Sequence, residues 1–124
     1  MTQRILIIDD SLEVARSTAL LFELEGFSVE TAITGASGLQ LVETSGPFDA
    51  IVLDRSLPDM RGEQVMEQIH EKLPNQPVVL ISGFLPVKSP PRPQVRSVHK
   101  PFDFSKLLAT INDMLVVSGE PSSS

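Results

Sequence analysis

Apolar residues along this chain fall into blocks of two kinds. One kind is short and almost wholly apolar: ILII at 5–8, AIVL at 50–53 and VVLI at 78–81. Such runs, bounded by acids or turn residues, suit strands buried on both faces. The other kind is longer and apolar on one side only. In SLEVARSTALLFELEG, Val14 and Ala15 recur as Leu21 and Phe22, seven residues on, and Gly26 follows as a C′ stop. Ser11 or Asp10 can cap the start of that helix. Alternation in FSVETA predicts a second strand over 27–32. A short helix over 36–44 turns Leu39 and Val42 inward and ends at Ser45-Gly46-Pro47. A third strand covers 49–54 and a helix over 62–72 turns Val65, Met66 and Ile69 inward. The fourth strand covers 77–82, a weak fifth covers 95–99, and Asp103 caps a last helix with Phe104, Leu107, Leu108, Ile111 and Leu115 on one face.

One segment breaks the rhythm. In FLPVKSPPRPQ, Pro86, Pro90, Pro91 and Pro93 fall within eight residues. Each proline inside a helix costs about 3 kcal/mol, so no helix is expected there. The rest alternates strand and helix, which predicts an α/β domain with a parallel sheet covered by helices on both faces. There is no internal repeat and no second domain, and GEPSSS reads as a frayed tail or the start of a linker.

Composition narrows the function classes. With 124 residues the chain is the size of one domain, and its net charge of −6 suits neither nucleic acid nor an anionic membrane surface. It contains no cysteine, which excludes disulfides and thiolate metal sites and fits a reducing compartment. No apolar run approaches the ~20 residues of a membrane span, and the N-terminus lacks a secretory signal, so the expected location is the cytoplasm.

Chemistry in an open α/β sheet gathers beyond the carboxyl ends of the strands. The first strand delivers Asp9 and Asp10 there, the third Asp54, the fourth Ser82 and Gly83, and the fifth Lys100 before Pro101. Three carboxylates in one cleft repel one another unless a cation offsets them. Mg2+ prefers oxygen ligands, takes few carboxylates and leaves positions open for phosphate oxygens. With Mg2+, an amine and a hydroxyl around it, a carboxylate can act as nucleophile towards phosphorus, and Asp54 lies centrally enough to do so. Taken singly, these residues have ordinary readings: a helix cap, a strand-end carboxylate, a surface lysine, a strand-end hydroxyl. Their convergence sets those aside. His70 reads as a solvated helix residue, and His99 as a neighbour of Lys100 by position alone.

Four motifs carry a resemblance over about residues 4–117: ILIIDDS at 5–11, VLDRSLPDMRG at 52–62, LISG at 80–83 and HKPF at 99–102. With them the chain resembles a receiver domain of the two-component response regulators. The resemblance implies a doubly wound, flavodoxin-like (βα)5 sheet of five parallel strands, with the fourth helix here replaced or shortened by the Pro-rich loop. It makes residues 1–117 the receiver and 118–124 a flexible tail. It implies that Asp54 accepts a phosphoryl group from a phosphohistidine of a sensor histidine kinase or phosphotransfer protein. Asp10, Asp54 and the backbone carbonyl of Ser56 would ligate Mg2+, with Asp9 acting through a bound water. Lys100 would pair with phosphoryl oxygens, and Ser82 would move inward to donate its hydroxyl to one. Gly83 would leave room for that approach, Pro58 and Gly62 would shape the loop after the acceptor, and a cis peptide before Pro101 would aim Lys100.

Two departures concern output. The position three before Lys100, a Tyr or Phe in the usual receiver, is Ser97, and the chain has no Tyr and no Trp. The Pro-rich stretch replaces a helix that many receivers use for dimerisation and effector contact, while Arg92 and Arg96 add positive charge nearby as a potential partner site. The expected protein is a stand-alone phosphoacceptor that is not an enzyme beyond its own phosphorylation and slow autodephosphorylation. It would signal to an unidentified downstream protein by contact, or pass the phosphoryl group on. The alternative is an unphosphorylated pseudo-receiver acting as an interaction module. A haloacid-dehalogenase-type phosphatase needs an acid two residues after its nucleophile, where this chain has Ser56, and a P-loop is missing after the first strand.

Overall fold

The computed structural model describes residues 2–83, 93–100 and 102–119, with side chains as far as 115. Among these residues lie five strands, β1 (Arg4–Ile8), β2 (Ser28–Ala32), β3 (Ala50–Asp54), β4 (Val78–Ser82) and β5 (Val95–His99), and four helices, α1 (Leu12–Leu24), α2 (Gly35–Ser45), α3 (Gly62–Lys72) and α4 (Phe104–Gly119). The strands form one parallel sheet in the order β2-β1-β3-β4-β5. The expected α/β architecture is therefore present. The Pro-rich stretch, from Phe84 to Arg92, lies outside the described residues, as do Pro101 and 120–124. Residues 118 and 119, expected in the tail, belong instead to the end of α4.

The sheet separates two apolar layers. On one face Ile5, Ile7, Val52, Val79, Ile81 and Val98 pack against Ala15, Ala19 and Phe22 of α1 and Leu107, Ile111 and Met114 of α4. On the other, Leu6, Ile8, Ile51, Leu53 and Leu80 pack against Val65, Met66 and Ile69 of α3 and the half-buried Leu39, Leu41 and Val42 of α2. Both faces of β3 and β4 are therefore covered, which is why their sequences are apolar throughout rather than alternating. In α1 the seven-residue recurrence splits. Ala15 and Phe22 are buried, whereas Val14 and Leu21 are 48% and 40% exposed, because the small Ala19 completes the stripe that meets the sheet. In α4, Met114 is a core residue that the expected stripe lacked.

Local chemistry sets the boundaries. Ser11 Oγ accepts the Val14 N–H at 3.2 Å and caps α1. Gly26 takes φ +99°, a left-handed turn that glycine adopts without steric penalty, and the chain passes directly into β2. Thr34 and Ser37 form a capping box on α2. Asp103 Oδ1 accepts the Lys106 N–H at 3.1 Å and the Ser105 hydroxyl at 2.9 Å, bonds that hold its carboxyl below the usual range. Among the described residues the one cis peptide is Gly46–Pro47. No helix of these residues is long and apolar enough to cross a membrane.

Phe22 is fully buried and meets Phe27 and Phe104 edge-on, at 5.5 and 4.8 Å between ring centroids. Phe22→Ala is expected to lower the unfolding free energy by about 3–5 kcal/mol, measured by urea denaturation.

Candidate functional site

Strand order reverses direction at β1 and β3, and the carboxyl ends of those two strands open onto the crevice that such a reversal creates. At the end of β1 the two acids part. Asp9 turns in and is 9% exposed, its N–H donating to Ala32 O at 3.0 Å and its Oδ1 accepting the Ser11 N–H at 2.9 Å. Asp10 stays in water. At the end of β3, Asp54 is only 4% exposed. Its Oδ1 accepts the Ser56 N–H at 2.9 Å, and its Oδ2 accepts from Lys100 Nζ at 3.2 Å. The lysine arrives there because its own N–H donates to Ser82 O at 2.7 Å, continuing the β4–β5 ladder.

Asp9, Asp10 and Asp54 each bring a carboxylate oxygen to a point where all three lie within 4.8 Å of one another. Burial pushes the Asp9 carboxyl above the usual range and the charges of Asp54 and Asp10 add to the rise, while the Ser11 N–H and Lys100 draw it back. An all-oxygen, net-negative donor set with an exposed mouth at Asp10 suits a hard divalent cation.

The loop after Asp54 is folded tightly over it. Ser56 and Arg61 bridge in antiparallel fashion, and the Gly62 N–H donates to Arg55 O at 3.0 Å. A Cβ on Gly62 would stand 2.6 Å from Asp54 O and 2.8 Å from Arg55 Cα, so this close approach of backbone to backbone admits only glycine. Arg55 Nε pairs with Glu63 at 2.6 Å. Asp59 reaches from the same loop to α2, where its two oxygens accept the Gly35 and Ala36 N–H groups at 2.8 and 2.9 Å. Those bonds hold its carboxyl below the usual range.

Of the residues singled out in the sequence, Asp9, Asp10, Asp54 and Lys100 come together, and Ser56 joins them through its N–H. Ser82 is fully buried, but its hydroxyl is engaged elsewhere, 3.2 Å from His99 Nδ1. A Cβ on Gly83 would meet open space. Ser97 is exposed on β5, with Leu80 as its partner in register. The cis peptide expected before Pro101 lies outside the described residues. Sequence reasoning missed two residues. Asp59 has no sequence signal that links it to α2. His99 had one, since pairing LISG with HKPF in neighbouring parallel strands sets Ser82 beside it.

The family model for the response regulator receiver domain matches residues 5–112. The chain belongs to the response regulator receiver family. It is 30% identical over 127 residues to the transcriptional regulatory protein CpxR homolog of Haemophilus influenzae, covering 96% of the chain and 53% of that protein. It is also 30% identical over 117 residues to the cell cycle response regulator CtrA of Brucella ovis, covering 88% and 48%. The chain thus spans about half the length of these curated relatives. Among solved structures it resembles a CheY-like receiver domain protein of Methanospirillum hungatei, with a TM-score of 0.83, 28% identity and coverage of 93% and 94%. Receiver domains are signalling modules of two-component systems and hold Mg2+ at an acidic pocket of the kind formed here by Asp9, Asp10 and Asp54.

Two predictions follow from this receiver's geometry. Because Asp9 is raised in the folded state, the folded protein binds that proton more tightly than the unfolded chain. Stability therefore falls as pH rises from the ordinary aspartate value into the raised one. Asp9→Asn, which keeps an acceptor for the Ser11 N–H, is expected to raise the Tm of the metal-free protein at neutral pH. The gain should vanish below about pH 4, as a pH series of thermal melts will show. Gly62→Ala is expected to destabilise the protein by about 1–3 kcal/mol in denaturant titrations, because backbone atoms of Asp54 and Arg55 occupy the Cβ position.

Proposed function

We propose that this receiver accepts a phosphoryl group on Asp54 from a phosphohistidine of a sensor histidine kinase or phosphotransfer protein. The observation that carries the reading is the environment of Asp54. It is a buried carboxylate with one oxygen on the Lys100 ammonium, and two further carboxylates lie within ligand distance of it. In the transfer, an Asp54 oxygen bonds to phosphorus as the phosphorus–nitrogen bond of the donor breaks. The electron pair leaves with the donor's imidazole nitrogen, which takes up a proton. Lys100 already touches the nucleophile, so it stands within reach of the phosphoryl oxygens as their charge arrives. The Ser56 N–H holds the carboxylate in a fixed orientation.

Asp10, Asp54 and the Ser56 carbonyl would hold Mg2+ directly, with Asp9 acting through a bound water. When bound, the ion supplies positive charge that offsets the three acids and the incoming phosphoryl group. Ser82 donates its hydroxyl to a phosphoryl oxygen once one is present. The acyl phosphate then hydrolyses slowly, so the protein turns over only its own modification. Output passes by protein contact or by onward phosphotransfer, with Ser97 in place of the usual aromatic residue. The cytoplasm, where phosphohistidine donors present their phosphoryl groups, is the proposed location.

Incubation with Mg2+ and a small phosphodonor is expected to add one phosphoryl group to the intact mass, and to add none to Asp54→Asn or to a metal-free sample. No adduct on the native protein, together with no binding of beryllofluoride, would overturn the reading in favour of a pseudo-receiver.

A further inference from the structure

The hydroxyl assigned to the phosphoryl group is not directed towards Asp54. Along β4, Val79 and Ile81 face the layer of α1 and α4, whereas Val78 and Leu80 face that of α2 and α3, so Ser82 continues the second face. Along β5, Val98 belongs to the first layer, so His99 turns to the same side as Ser82. Asp54 follows Val52 on the opposite side. Ser82 and His99 are direct partners in the parallel register, and their side chains meet at 3.2 Å between Oγ and Nδ1. Ser82 is buried and His99 exposed, and no contact of Oγ with Asp54 or Lys100 occurs among the described residues.

We infer that His99 is a latch on the Ser82 hydroxyl: its imidazole holds that hydroxyl on the sheet face away from Asp54, and phosphorylation must break this bond to recruit it. The inference rests on the phosphoacceptor reading and names a regulator of the same site. It follows from the supply of partners. A buried hydroxyl without a partner is costly, and among the described residues His99 is the side chain that meets the Ser82 hydroxyl while no phosphoryl oxygen is present. Whichever of the two atoms donates, Oγ cannot rotate towards the acceptor and remain on Nδ1. The imidazole therefore competes with the phosphoryl group, and its removal biases the site towards the phosphorylated arrangement. His99 is a positioning residue that touches no reacting atom. It acts at the point where the usual aromatic partner of the hydroxyl's movement is replaced by Ser97.

The test is a double-mutant cycle read by beryllofluoride affinity with Mg2+, followed by fluorine NMR. His99→Ala is expected to bind the phosphoryl analogue about three- to tenfold more tightly than the native protein, the equivalent of one net hydrogen bond. His99→Asn, which keeps a polar atom near the Nδ1 position, should bind as the native protein does. In a Ser82→Ala background, removal of His99 should change nothing. Equal or weaker binding by His99→Ala overturns the latch. So does a gain that persists without Ser82, or one that His99→Asn shares. Failure of the native protein to bind the analogue at all overturns the phosphoacceptor reading itself, and the latch with it.

Discussion

Carboxylate oxygens of Asp9, Asp10 and Asp54 stand within 4.8 Å of one another. At 4 Å, two like charges near a protein surface repel by about 4 kcal/mol. Among the described residues one ammonium, Lys100, lies 3.2 Å from Asp54, so these residues offset the three acids only in part. The surroundings make that tolerable in other ways. Asp10 keeps its water, and Asp9 and Asp54 each take a backbone N–H from the residue two places on. An acid lifted by burial and by its neighbours is also a site that gains most when a cation arrives. A divalent cation would offset this imbalance.

The sheet supplies the cluster strand by strand, so register becomes site geometry. Asp9 sits one residue beyond β1, Asp54 closes β3, and Lys100 sits one residue beyond β5. A slip of one residue in any of these strands would exchange its two faces and carry the side chain away from the cleft. The apolar layers on both sides make that slip expensive, since each strand has its own set of partners on each face.

Much of this was legible in the residues. Short continuous apolar runs implied strands covered twice, and the ends of those runs identified Asp9, Asp10, Asp54, Ser82 and Lys100. The bounds of α3 and β5 matched their apolar patterns because Gly62, Pro74 and Pro93 delimit them. What escaped depended on tertiary packing. Val14 and Ala15 have equal claim to the inner stripe of α1 by spacing, and only the sheet beneath selects Ala15. Met114 joins the core because α4 runs on past Ile111 against α1. Asp59 stands within VLDRSLPDMRG, and only the tertiary placement of the N-terminus of α2 gives it its partners. His99 had been set aside because adjacency to Lys100 in sequence hid its pairing with Ser82 across the sheet.

Asp59 joins two elements that the chain order separates. Its carboxylate satisfies the first donors of α2, and its backbone belongs to the loop that starts at Asp54. A Cβ on Gly35 would collide with Met60 of that loop, so the contact is steric as well as polar. Lifting of the loop after Asp54 and fraying of the first turn of α2 are therefore coupled. Proton exchange at the Gly35 and Ala36 amides becomes a remote gauge of how often Asp54 is uncovered.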